Sequence, residues 1–175
     1  HTLRWIVGDE AFFQGIRSYL SDPKLRHGFA YTNDFIAHMQ NATGRDLTGY
    51  FADWYYGEGF PTYTVAVDQS ADFSATVTLY QAQSDASVDF FELPVPVQFL
   101  GGDKDTVIVF NHTFSGETFS INPGFTIDTV IFDPDLWLIS ANNTFTLGSD
   151  ELPAGKNLLI MPNPASDYLY IEHNL

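Results

Sequence analysis

Five histidines, His1, His27, His38, His112 and His173, are the side chains best suited to moving protons or holding a metal near neutral pH. No two of them form an HExxH pair or stand four residues apart on a helix, so the common zinc-peptidase pattern is not formed within the chain. His38 falls on a helical stretch and reads as a partly exposed helix residue. There is no cysteine, which excludes thiolate metal sites, iron–sulfur clusters, disulfides and cysteine nucleophiles. No GxSxG, P-loop or GxGxxG run occurs. Asp133-Pro134-Asp135 could contribute calcium ligands, although a turn between two strands is the plainer reading. Gly101-Gly102-Asp103-Lys104-Asp105 reads as a hairpin turn and lacks the ligand series of an EF-hand loop. No two carboxylates stand out as a glycosidase pair. The aromatic run Trp54-Tyr55-Tyr56 with Phe60 could be a sugar platform, but such clusters more often form core or a domain interface.

The elements that must position these groups fall into two textures. Residues 1–60 hold 5 basic and 7 acidic groups, and residues 61–175 hold 2 basic and 15 acidic groups, for a chain total of −15. So acidic a chain repels phosphate backbones, so no nucleic-acid partner is expected, and anionic membrane surfaces are disfavoured too. No apolar run reaches the roughly 20 residues of a membrane helix, so the chain is not expected to span a bilayer. At 175 residues, 45% hydrophobic and 17% charged, it has the composition of a globular protein of one domain or two small ones.

The first part reads as helices. His1 to Val7 looks like the tail of an apolar helix stopped at Gly8, so the chain is read as a piece of something longer. Asp9 is placed as the cap of a helix with the apolar face Phe12, Phe13, Ile16 and Leu20, ended by Asp22-Pro23. Thr32 is placed as a second N-cap, with Asp34 in the first turn and Phe35, Ile36 and Met39 as the stripe, closed by Gly44. Asp46 then caps a face of Leu47, Tyr50, Phe51, Trp54 and Tyr55, stopped by Gly57-Glu58-Gly59 and Pro61.

The second part alternates with period two. Tyr63, Val65 and Val67 share one face, as do Phe73, Ala75, Val77 and Leu79. In Leu93-Pro94-Val95-Pro96-Val97-Gln98-Phe99 both prolines remove donors from the same edge, which predicts an edge strand. Further strands are expected at Thr106 to Phe110, Thr118 to Ile121, Ile127 to Phe132 and Leu136 to Ile139. The expected fold class is α+β: a small helical module followed by a seven-stranded antiparallel β-sandwich. Residues 141–157, rich in Asn, Thr, Gly, Ser and Pro, read as a linker. A new segment opens at Leu158.

Leu3-Arg4-Trp5, Gly8-Asp9-Glu10-Ala11-Phe12-Phe13 and Ile16-Arg17-Ser18-Tyr19-Leu20 resemble the helix pair that follows the active site in zinc aminopeptidases of the alanyl-aminopeptidase (gluzincin) family. Asp46-Leu47-Thr48-Gly49-Tyr50-Phe51-Ala52-Asp53-Trp54, then Gly57, Gly59 and Phe60-Pro61, is similar to the end of that family's thermolysin-like catalytic domain, which leads into a small β-sandwich. Glu92-Leu93-Pro94-Val95-Pro96-Val97 and Phe132-Asp133-Pro134-Asp135-Leu136-Trp137-Leu138 resemble pieces of that sandwich. Met161-Pro162-Asn163-Pro164-Ala165-Ser166-Asp167-Tyr168-Leu169-Tyr170-Ile171 looks like the start of the C-terminal sorting domain of type IX secretion, with Pro162, Asn163 and Pro164 at its opening.

The resemblance implies residues 1–60 as the last helices of a catalytic domain, 61–140 as a β-sandwich, 141–157 as a linker and 158–175 as a truncated sorting domain. It implies a secreted or cell-surface parent in a Bacteroidetes-type bacterium that removes N-terminal residues from peptide substrates. The HExxH, the third zinc ligand and the catalytic Tyr lie before the point matching His1. Zinc is therefore expected in the parent and no metal in this chain, which by itself is not expected to hydrolyse peptides. The partner would be the missing N-terminal catalytic domain. Leu3, Trp5 and Ile6 form an apolar face with no obvious partner in so short a helix, and together with Trp54, Tyr55 and Phe60 they are the expected domain interface. The alternative is a non-enzymatic secreted β-sandwich module that binds glycan or protein.

Overall fold

The computed structural model describes residues 1–149. The expected sorting-domain start, with Pro162, Asn163 and Pro164, lies outside the described residues. The helical part holds α1 (Thr2–Val7), α2 (Asp9–Ser21), α3 (Thr32–Thr43) and α4 (Thr48–Phe51), which runs on into a π-helical turn, Ala52–Tyr56. Gly8, at φ 81°, lets α2 follow α1 without a spacer. Asp9 does not cap α2; its carboxylate takes a two-pronged bond from Arg4 instead, at 2.7 and 2.6 Å. The N-cap of α3 is Tyr31 rather than Thr32, because the Asp34 carboxylate accepts the Tyr31 N–H at 2.8 Å. Gly44 ends α3 in the left-handed conformation, as its position in the sequence predicts.

Seven strands follow: β1 (Pro61–Gln69), β2 (Ala75–Gln83), β3 (Leu93–Gly101), β4 (Lys104–His112), β5 (Glu117–Ile121), β6 (Thr129–Phe132) and β7 (Thr144–Ser149). They form a four-stranded sheet in the order β5-β2-β1-β7 and a three-stranded sheet in the order β4-β3-β6. The inward-facing residues of both sheets enter one core, with Tyr63, Val65, Val77 and Leu79 from the first and Val95, Val97 and Phe99 from the second all at 0% exposure. Rings meet across it, Tyr63 on Phe132 at 4.9 Å and Phe110 on Phe119 at 4.8 Å between centroids. Each such side chain contributes roughly 1.5–3 kcal/mol by leaving water.

Three expectations are corrected. The sheets are not purely antiparallel, because β7 pairs with β1 in parallel from Thr64↔Thr144 to Gln69↔Ser149. This strand lies in the stretch read as a linker. The Asn143 side chain accepts the Tyr63 N–H at 2.9 Å and so begins the ladder that the strand continues. Leu136 to Ile139 is not a strand. Asp133 and Leu136 have φ 46° and 56°, and the Asp133 carboxylate accepts the N–H groups of Trp137 and Leu138 at 2.9 and 2.7 Å, which closes a loop there. Finally, β3 is the central strand of its sheet and not an edge, but its partner β6 covers only Val97 to Leu100. Pro94 and Pro96 lie ahead of that stretch. Their missing donors face the side that β6 leaves bare, since the Pro96 carbonyl on that side accepts from Asp133 N at 2.9 Å.

Candidate functional site

The helices meet the sheets along the bare half of β3. Trp5 Nε1 donates to the Pro94 carbonyl at 2.7 Å, and Trp137 stacks on Trp5 with centroids 5.4 Å apart. A strand whose prolines offer no N–H can present only acceptors, and an indole N–H is a donor only, so the two fit. Trp54 packs on the fully buried Phe91 at 4.5 Å. Phe91 is held in turn by Gln81, whose amide accepts the Phe91 N–H at 2.8 Å and donates to its carbonyl at 2.9 Å. This two-way clasp fixes the chain just before β3, where Glu92 leads into the strand.

The residues expected at an interface are thus placed in two ways. Leu3 is buried beside Met39, Leu47 and Phe51 in the helical cluster. Trp5, Ile6 and Trp54 are partly buried against the sheet core. The sequence reading left the face of Leu3, Trp5 and Ile6 without a partner; the partner is inside the chain. Phe60 is half-buried, and Tyr55 is exposed, its hydroxyl accepting from Thr32 Oγ1 at 2.8 Å.

Between these two anchors lies a cleft of about 560 Å³, within the range of small-ligand sites. One wall is helical, with Trp5, Tyr50 and Asp53; the other comes from β3, β4 and the residue before β3, with Pro94, Asn111 and Glu92. Asp53 sits on the π-helical turn, closed by Gly57 N donating to Ala52 O at 2.8 Å. Such turns recur where a side chain must be re-aimed at a functional surface. Burial, and then the negative charge of Glu92, push the Asp53 carboxyl above its ordinary range. Asp46, at the rim, is held below that range by hydrogen bonds from Thr48. Burial pushes the Tyr50 hydroxyl up to about 12, so it stays protonated. The one cation lining the cleft among the described residues, Arg45, has its Nη1 committed to the Ile6 carbonyl at 2.8 Å.

His112 also borders the cleft and is 0% exposed. Its Nε2 lies 3.0 Å from the Leu79 carbonyl, an acceptor, so that nitrogen carries the proton. Nδ1 is then a lone pair, and it has no hydrogen-bond partner. Burial holds His112 below the usual histidine range, which keeps the ring neutral.

A second constellation joins α2 to α3. Ser18 Oγ is 2.8 Å from His38 Nδ1, and His38 Nε2 is 3.2 Å from Asp22 Oδ2. Residue types and order are those of a serine hydrolase. However, Ser18 lies inside α2, where neighbouring N–H groups are spent on the helix, so no pair of donors is free to hold an oxyanion. It acts as a clasp between the two helices, and His38, a partly exposed helix residue as expected, ties them together.

Among the described residues no three His, Asp or Glu side chains converge on a point that could hold a metal ion. No described helix is long and apolar enough to cross a membrane. Sequence reasoning missed the cleft because its walls come from segments far apart in the chain; the one available signal was the unmatched acidity of Asp53 and Glu92 beside aromatic residues.

No protein-family profile matches the chain. It is similar to the mitochondrial aminopeptidase 2 of Saccharomyces cerevisiae, at 28% identity over 94 residues, which cover 54% of this chain and 10% of the yeast protein. The match therefore spans about a tenth of that relative's length.

Proposed function

We propose that this chain is the non-catalytic C-terminal part of a secreted zinc metallo-aminopeptidase. In this reading residues 1–60 complete the catalytic domain, and residues 61–140 are the greater part of a β-sandwich that buttresses it, with β7 as its last strand. Residues 158–175 begin a secretion sorting domain of a Bacteroidetes-type bacterium. The parent's zinc and its peptide-cleaving groups belong to the N-terminal catalytic part, which is the partner of this chain. The observation that carries the reading is the likeness to the yeast aminopeptidase. The uncovered apolar side chains of the helices support it: Leu20 is 68% exposed and Phe29 89%. Side chains of that size stay in water at a cost unless another surface covers them.

The test is to express the full natural polypeptide that contains this chain, measure bound zinc, and assay release of the N-terminal residue from aminoacyl-p-nitroanilides. Stoichiometric zinc and release that stops when the natural polypeptide ends before residue 61 support the reading. A full polypeptide with neither zinc nor release overturns it.

The exposed pair Tyr55 and Tyr56, edge to face at 4.9 Å, favours a second reading, a non-enzymatic module that binds glycan or protein. A glycan array decides it, with specific binding abolished by Tyr55→Ala or Tyr56→Ala as the supporting result.

A further inference from the structure

We propose that the cleft between α1, α4 and the start of the β3–β4 pair binds a peptide segment through an arginine side chain, its guanidinium held by Asp53 and Glu92. The inference rests on the cleft alone and does not depend on the peptidase reading.

What the cleft lacks, among the described residues, is a cation paired with Asp53 or Glu92. Asp53 and Glu92 take no part in the two ion pairs formed among the described residues, Arg4–Asp9 and His38–Asp22. Arg45 is turned to the Ile6 carbonyl. The Nδ1 of His112, in the same wall, is a buried acceptor without a partner. Asp53 holds its proton more tightly, first through burial and then through repulsion by the Glu92 carboxylate. A ligand that brings several N–H donors and a positive charge removes this conflict.

Arginine suits the site better than lysine. Its five N–H donors are fixed in one plane and match paired carboxylates, and its flat, weakly hydrated cation packs against aromatic walls such as those of Trp5 and Tyr50. The net charge of −15 attracts such a segment from a distance. The volume of about 560 Å³ leaves room for the side chain and the peptide backbone on either side.

The test is isothermal titration of the 175-residue chain at low salt with acetyl-Ala-Arg-Ala-amide, its citrulline counterpart and its lysine counterpart. The arginine peptide should bind saturably at one site, and neutral citrulline, nearly the same shape, about tenfold or more weaker. Glu92→Gln, at an exposed position, should weaken the arginine peptide by a similar factor, and Asp53→Asn should do the same. The double variant Asp103→Asn, Asp105→Asn, at the far end of the same hairpin, should leave binding unchanged. Equal binding of arginine and citrulline peptides, or absence of saturation, overturns the proposal. So does equal weakening by the far-end variant, which would mean diffuse acidity rather than a site. A lysine peptide that binds as tightly as arginine overturns the guanidinium assignment.

Discussion

The indole nitrogen of Trp5 donates to the carbonyl oxygen of Pro94 at 2.7 Å, across 89 residues of sequence. The bond fastens a six-residue helix, too short to be stable alone, to the half-strand that prolines have left without donors. Trp5→Phe keeps the ring but leaves the Pro94 acceptor unpaired. It should lower stability by about 1–2 kcal/mol. Trp5→Ala also loses the contact with Trp137 and should cost about 2–4 kcal/mol. Urea unfolding followed by circular dichroism reads both, and equal losses would mean that the hydrogen bond rather than the ring carries the effect.

Gln81 replaces a missing strand partner for Phe91, since its side chain satisfies both the N–H and the carbonyl of that residue. Gln81→Leu fills the space and satisfies neither. The expected loss is about 2–4 kcal/mol, because two buried backbone groups are left unpaired. Amide exchange at Phe91 should accelerate more than at Val65, which has its own ladder.

Asp53 gives the chain a pH dependence opposite in sign to that of Asp9, Asp22, Asp46, Asp72 and Asp85. Its native pKa is raised, first by burial and then by Glu92, so the native state binds the proton more tightly than the unfolded chain. This contribution to stability is complete below the unfolded value of about 4 and is lost as pH rises through the native one. Asp53→Asn should therefore raise the melting temperature at pH 7 and leave it little changed at pH 3.5. Asp9, Asp22, Asp46, Asp72 and Asp85, all held below their ordinary range by hydrogen bonds, act the other way. Their contribution is lost as pH falls through their native values, so the parent curve itself should drop in acid. The difference between variant and parent isolates Asp53.

The Asp133 carboxylate is already occupied by the N–H groups of Trp137 and Leu138. Its oxygens serve the loop and are poorly placed to serve a cation. Calcium at millimolar concentration, or its removal with chelator, should leave the melting temperature unchanged, since a ligand bound only to the native state must raise it. Asp133→Ala should instead free the loop and quench the stacking of Trp137 on Trp5, visible in near-ultraviolet circular dichroism.

Much of the fold was legible in period-two alternation. Tyr63, Val65 and Val67, and Val77 with Leu79, point inward as that pattern requires. Pro94 and Pro96 suggested an edge strand, but β3 is central and only the half they occupy is left uncovered by β6, whose length is not written in β3. Leu136 to Ile139 misled since four successive apolar residues read as a buried strand, whereas here they lie in a loop clamped by Asp133. β7 was hidden by Asn142-Asn143 and Gly148, residue types that usually mark turns. The cleft could not be read at all: Asp53 and Glu92 become neighbours only through the Gln81–Phe91 clasp and the packing of Trp54.

The parallel pairing of β7 with β1 has a mechanical meaning. Pro61 enters β1 beside the helices, and Ser149 leaves β7 at the opposite pole, about 25–30 Å away at the usual rise per residue. A pull applied between the helices and the chain beyond residue 149 would run along both strands and in opposite senses. The six facing residue pairs, Thr64↔Thr144 through Gln69↔Ser149, would then bear the load together in shear instead of opening one by one like a zipper. In that geometry the joint would resist tension and hold the two poles in register under load.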